Sequence, residues 1–314
     1  MRIAFAPAGR RDARTAVQLA RRAEELGFAE VWLSEDYLER GAFAVAGAVA
    51  AATEHVTVGL GVINPWTRHV ALTAMECAAL DEVSGGRLVI GLGASNKVWM
   101  QDQLGIPYSR PISTLTAFSD DLRTLLAGQT AGSARLSFTP ARPHPPVFWG
   151  VKGERALAAG AERADGLMLS VLSTPAYVEW IRAQHPRPDL TLTGYAAFSC
   201  ADDPADAFDR VRSRTARFLG MHGASPITGT AGLDPELAER LRARMLAGQD
   251  GSDLVDDATL ATFTLAGDPE RIAAGMTAFA AAGLDTLVVM DDGVGDPMRV
   301  LDDAATCADR AGLL

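Results

Sequence analysis

Residues 56 to 95 read VTVGLGVINPWTRHVALTAMECAALDEVSGGRLVIGLGAS, which parses as a strand, a loop, a helix and a second strand. In VTVGLGV the β-branched residues make a buried strand, and Gly59 and Gly61 strip side chains from its carboxyl end. RLVIGLGAS repeats the pattern with Gly91 and Gly93. Between them, MECAALDEV predicts an amphipathic helix, and the Ser84-Gly85-Gly86 turn feeds the next strand parallel to the first. The stretch is therefore a βαβ unit. Two successive strands with the same G-x-G ending offer bare backbone that suits a flat ligand; the plainer reading of these glycines is turn punctuation.

Working outward, RIAFAP (residues 2 to 7) is a strand, and RDARTAVQLARRAEELGF is a helix with Val17, Ala20, Ala23 and Leu26 on one face. Strand two is AEVWLSEDY, whose apolar Val31, Trp32 and Leu33 run into a polar cluster of Ser34, Glu35, Asp36 and Tyr37. GAFAVAGAVAAATEH predicts a small-residue helix packed closely on the sheet. Beyond Gly93, ASNKVWMQDQLGIPYSRP is too long for an ordinary βα loop and carries Trp99, Met100 and Tyr108, which marks a pocket wall. A helix over 112–127 and the strand PVFWG, ending in Gly150, come next. ERALAAGAERADGLMLS adds a helix and a strand, residues 175–185 a helix, TLTGYAAFS a strand and DPADAFDRVRSRTARFLG a long helix. Residues 223–258 give helical pieces and no strand, and ATFTLAGDPERIAAGMTAFAAAGLDTLVVMDD closes with strand, helix and strand before a last helix.

Strands near residues 3, 31, 59, 89, 148, 167, 194 and 287, with TFTLAG as an extra candidate, predict a (β/α)8 TIM barrel. It is a single α/β domain over residues 1–314, with insertions after strands 4 and 7 and no visible linker. An open doubly wound sheet would gather its site at one switch point, whereas polar clusters and glycines here spread over strands two to five.

A net charge of -10 and the lack of a basic stripe argue against a nucleic-acid partner. No apolar run is long enough for a signal peptide or a membrane span, so a cytoplasmic protein with no membrane partner is expected. Cys77, Cys200 and Cys307 have no CxxC spacing and indicate neither a disulfide framework nor a metal site. Only two of the 29 basic residues are lysines, Lys97 and Lys152, and both stand just beyond glycine-ended strands.

Taken together, ELGFAEVWLSEDY, GLGVINPWTRH, LDEVSGGRLVIGLGAS, PVFWGVKGERALAAGAERADGLMLS and LAGDPERIAAGM with AAGLDTLVVM resemble the luciferase-like monooxygenase superfamily over nearly the whole chain. The branch they resemble most is the methylenetetrahydromethanopterin reductase group. This resemblance implies coenzyme F420, with FMN as the alternative, a non-prolyl cis peptide at Gly61-Val62 and a homodimer paired through helices near strands two and three. The alanine-rich face of residues 42–52 offers such a surface.

Gly61 and Val62 would then form a flat floor for the ring, Asn64 would contact the coenzyme, and Gly93, Ala94 and Ser95 would edge it. A phosphate would sit on backbone N-H groups where Gly150, Val151, Lys152 and Gly153 lead into a helix. Many relatives place Asp-His at the end of strand two; here the run is Glu35-Asp36-Tyr37. Asp36 and Glu35 are therefore the candidate catalytic acids, and backbone capping is their plainer role. Arg68 and His69 are a loop-fixing pair, and the run from Ser84 to Arg87 lies at the barrel's other end. The expected activity is hydride transfer between a deazaflavin and a small C=N, C=C or carbonyl substrate. An FMN monooxygenase and a non-catalytic flavin-binding protein are the alternatives. Gly61→Val is expected to abolish coenzyme binding and leave the barrel folded, and residues 96–111 and 223–258 are expected to wall the substrate.

Overall fold

Eight parallel strands close on themselves in the computed structural model, which describes residues 1–36, 38–291 and 294–314. Tyr37, expected in the polar cluster after strand two, and Asp292, expected at the end of the closing strand run, lie outside the described residues, as does Gly293. The strands are β1 (Arg2–Ala6), β2 (Glu30–Leu33), β3 (Thr57–Ile63), β4 (Leu88–Gly93), β5 (Val147–Gly150), β6 (Gly166–Leu169), β7 (Thr191–Cys200), β8 (Leu265–Gly267) and β9 (Thr286–Met290). Each of β1 to β7 pairs with the next, and β9 pairs with both β7 and β1, which closes the ring. TFTLAG does contain a strand, but β8 is no stave of the barrel. It pairs only with Phe198–Cys200, where the ten-residue β7 overshoots β9.

Alternation along each strand sorts side chains between two cores. Ala4, Ala6, Trp32, Phe148, Met168 and Val288 fill the barrel interior, while Leu167, Leu169 and their equivalents face the helices. Arg87 ties the amino ends together, its guanidinium donating to the carbonyls of Ala50, Thr53 and Val56. Gly85 and Gly86 turn the chain at φ 64° and 84°, a conformation in which a Cβ is strained. The run from Ser84 to Arg87 is thus at the amino end of β4, away from the strands' carboxyl ends.

The helix of the organising βαβ unit starts earlier than its apolar pattern indicates, spanning Val70–Val83, because His69 caps it: Nδ1 accepts from Ala71 N–H at 3.2 Å. In the insertion after β4, a π-helix at Val98–Gln103 buries Met100 completely. The insertion after β7 opens with the helix Pro204–His222. Residues 223–258 are helical as expected, but they pack on that helix. The approach is close, since a Cβ at Gly220 would lie 2.7 Å from the Leu241 carbonyl oxygen. This segment buttresses a wall of the mouth from outside. No helix among the described residues is long and apolar enough to cross a membrane.

Candidate active site at the carboxyl ends of the strands

The glycines of β3, β4 and β5 have a different purpose from the one their bareness suggests. A Cβ at Gly59 would overlap the Trp32 ring, and one at Gly91 would overlap the Leu60 carbonyl and meet Met168 Sδ at 2.5 Å. At Gly93 and Gly150 the neighbour is Val62, at 2.5 and 2.9 Å. The space beside these strands is filled by protein. What remains open is Gly61 and Val62 themselves, which are partly exposed although Val58–Leu60 and Ile63 are buried. The peptide between them is cis. The expectation for Gly61→Val is corrected by the same geometry: its Cβ points inward at Tyr195 Oη, Met168 Cε (2.7 Å) and Trp32 Cε3 (2.9 Å). A valine there would disrupt the barrel core along with any floor.

Glu35 and Asp36 leave the carboxyl end of β2 beside this peptide, with Glu35 N–H donating to the Val62 carbonyl at 3.4 Å. Glu35 Oε1 accepts two bonds from Arg68, at 2.8 and 3.2 Å, and Arg68 also reaches Glu76 at 2.8 Å and lies over the Phe43 ring. Glu35 Oε2 is buried with no partner among the described residues. A carboxylate so paired ties two loops together and keeps one acceptor atom in reserve. Asp36 Oδ2 accepts from Ser34 Oγ at 2.8 Å.

Asn64 departs from its expected role. It is only 3% exposed, and its amide turns into its own loop, donating to Thr67 Oγ1 and accepting from Trp66 and Thr67 N–H. This is an Asx turn that holds the loop. Trp66 Nε1 donates to the Ala94 carbonyl at 2.8 Å, and its ring lies 4.9 Å from that of Tyr108, whose hydroxyl donates to Ser95 O at 3.2 Å. Ala94 and Ser95 (φ 57°) are therefore clamped from both sides.

Across the mouth, Val151 is buried and its N–H donates to Met168 O at 3.4 Å. Lys152 and Gly153 lead into the helix Glu154–Arg163, which has no side-chain cap. The Lys152 surface is open, yet protein surrounds the concavity in which it stands. That desolvation holds the ammonium below the usual lysine value, and Nζ rests 3.8 Å from Met221 Sδ. Among the described residues no carboxylate pairs with it.

Several groups here carry no sequence signal. Tyr195 donates to the Gly61 carbonyl at 3.5 Å from inside the barrel, and burial pushes its phenol well up. Partial burial, with the charge of Asp36 beside it, raises the Glu39 carboxyl. Ser170 Oγ lies 2.9 Å from Nε2 of His222, the last residue of the helix Pro204–His222. Burial, then the Lys152 charge, lowers the His222 pKa to about 3. Only the folded chain brings residues 36, 39, 170, 195 and 222 to one mouth.

The sequence pattern of luciferase-like monooxygenases matches residues 3–286. The 5,10-methylenetetrahydromethanopterin reductase of Methanolobus tindarius is 25% identical over 289 residues, covering 86% of this chain and 87% of that protein. Among solved structures, the coenzyme F420 dependent tetrahydromethanopterin reductase from Methanopyrus kandleri has a TM-score of 0.83 at 22% identity and covers 97% of both chains. An F420-dependent secondary alcohol dehydrogenase in complex with an F420-acetone adduct has a TM-score of 0.77 at 17% identity, covering 99% of this chain and 98% of that one. Because the pattern runs from β1 to the first residue of β9, almost the whole barrel, the chain belongs to the luciferase-like monooxygenase family.

Proposed function

We propose that the protein is a coenzyme F420-dependent oxidoreductase moving a hydride between the deazaflavin and a C=N, C=C or carbonyl group of a small molecule. The observation that carries this reading is the open Gly61-Val62 peptide at the end of a buried strand. A flat ring stacked on this peptide fits it. Similarity to the F420-dependent reductase and the F420-dependent alcohol dehydrogenase named above supports the deazaflavin over FMN.

In this reading Gly61 and Val62 form the floor, while Gly93 and Gly150 act beneath it by seating the Val62 side chain. Ala94 and Ser95 border the ring, and Asn64 supports the loop between. Backbone N–H groups of Lys152 and Gly153 at the helix start receive the phosphate, with the Lys152 charge beside them, while Val151, whose N–H is taken by the Met168 carbonyl, holds the turn in place. When bound, the deazaflavin supplies two electrons as a hydride and activates oxygen poorly. The chain's own part is to stack, to exclude water and to place a proton. Asp36 is the candidate for that last task, and Glu35, tied to Arg68, holds the loops. Titrating the protein with F420 and with FMN by fluorescence tests the reading. Tight FMN binding without F420 binding would overturn it in favour of an FMN monooxygenase. Tight F420 binding with no turnover across a panel of electrophiles would favour a carrier.

The protein's state is a homodimer in this reading. The helices Ala42–Ala52 and Val70–Val83 lie side by side and expose Ala44, Ala48 and Ala51 together with Leu72 (56%), Met75 (49%) and Val83 (54%). A contiguous apolar surface of this kind fits a second copy. Three free cysteines with no disulfide fit the reducing cytoplasm.

A further inference from the structure

Ser170 and His222 meet where no motif predicts a site. Inward-facing positions of β6 run Gly166, Met168 and then Ser170, just past the strand. Met168 touches the space at Gly61 and Gly91, at the level of the floor. Ser170 is two residues nearer the mouth, about 6.6 Å at 3.3 Å per residue. That height is close to two layers of about 3.5 Å each, one for a stacked ring and one for a molecule above it.

His222 is held firmly at this height. Gly223, at φ 57°, ends the helix by donating its N–H to Leu219 O at 2.8 Å, and its own carbonyl accepts from Thr228 Oγ1 at 2.7 Å. The imidazole stays neutral across the physiological range because burial and the Lys152 ammonium both oppose a second proton. A neutral imidazole has one donor and one acceptor nitrogen. Ser170 Oγ bonds nothing else among the described residues, and donation of its O–H to Nε2 is the arrangement that pairs both groups, so we assign the bond in that direction. The ring proton then resides on Nδ1, which makes no hydrogen bond to any described residue. With the bond in that direction, one unused N–H donor is left beside the inward-facing Ser170 on a largely desolvated ring.

We propose that the Ser170–His222 pair is a substrate-recognition site that binds a neutral hydrogen-bond acceptor: a ketone, ester or amide oxygen, or an imine nitrogen. An acceptor takes the Nδ1 proton in a hydrogen bond, whereas an unfunctionalised C=C group leaves it unpaired. His222 is thus a specificity-determining residue that favours carbonyl and imine compounds over plain alkenes. The inference rests on the reading above for placing the substrate over the floor, but the site itself is built by this chain alone.

The test uses protein with 15N-labelled histidine and no coenzyme, so that its result is separate from that of the F420 titration. The imidazole 15N shifts of His222 should show the proton on Nδ1 at pH 7, and Ser170→Ala should move them. Cyclohexanone should perturb the His222 resonances in a saturable way, and methylenecyclohexane, the same shape with C=CH2 for C=O, should not. His222→Phe should weaken cyclohexanone binding about 3- to 10-fold, the range for one neutral hydrogen bond, and His222→Gln, which keeps a donor, should recover part of it. A proton on Nε2, equal perturbation by both probes, or perturbation by neither would overturn the proposal. So would unchanged affinity in His222→Phe.

Discussion

Val62 occupies the notch that Gly93 leaves in β4, with Cγ2 2.5 Å from the place a Cβ of residue 93 would take. Gly150 completes the notch from β5, so one valine side chain is seated across two glycine-ended strands. The backbone face turned toward solvent at Gly61-Val62 is set by that packing.

Gly93→Ala should therefore lower stability by about 1–3 kcal/mol through overpacking and weaken coenzyme binding as Val62 is displaced. Val62→Ala should rescue much of the stability loss, because the two changes share one space. Denaturant melts of the two single variants and the double variant check this; strict additivity would show that Val62 does not fill the notch.

Lys152→Ala should weaken coenzyme binding several-fold, from about 1 kcal/mol for a single solvent-accessible charge pair. The loss should be greatest at low salt. Since desolvation lowers the ammonium pKa, wild-type affinity should decline at a lower pH than an ordinary lysine would give. Fluorescence titration across salt and pH reads both effects. Turnover at saturating coenzyme should be unchanged.

His222 should make the fold acid-sensitive. Its folded pKa, about 3, lies below the ordinary 6.5, so the unfolded chain takes up a proton that the folded chain refuses. The contribution is fully present above pH 6.5 and is lost as pH falls from there toward 3. His222→Gln should flatten that limb of a stability-versus-pH curve measured by urea melts. An unchanged acid limb would show that the imidazole protonates freely in the folded state.

Met75→Glu, or Ala48→Glu on the neighbouring helix, should convert a dimer to a monomer, because a carboxylate buried in an apolar interface is strongly unfavourable. Sedimentation at micromolar concentration reads the outcome. A wild-type protein that is already monomeric would remove this face as an interface.

What the sequence determined by itself was the barrel, through local signals. Apolar runs ending in glycine, helices between them and the cap at the Ser84-Gly85-Gly86 turn each depend on neighbours within a few residues. The overshoot of β7 that makes β8 a side strand was not legible, because it depends on how far β9 extends beside it. Nor was the purpose of the glycines. Bareness shows in the sequence, but what fills it, Val62 over Gly93 and Gly150 or Trp32 over Gly59, is set by strands stacked in three dimensions. Asn64 likewise reads as an open amide until its loop closes on it. His222 lies 52 residues from Ser170 and 70 from Lys152. No spacing rule joins them, and only the helix Pro204–His222, pressed over the mouth by the helices behind it, brings a neutral imidazole to the carboxyl ends of β5 and β6.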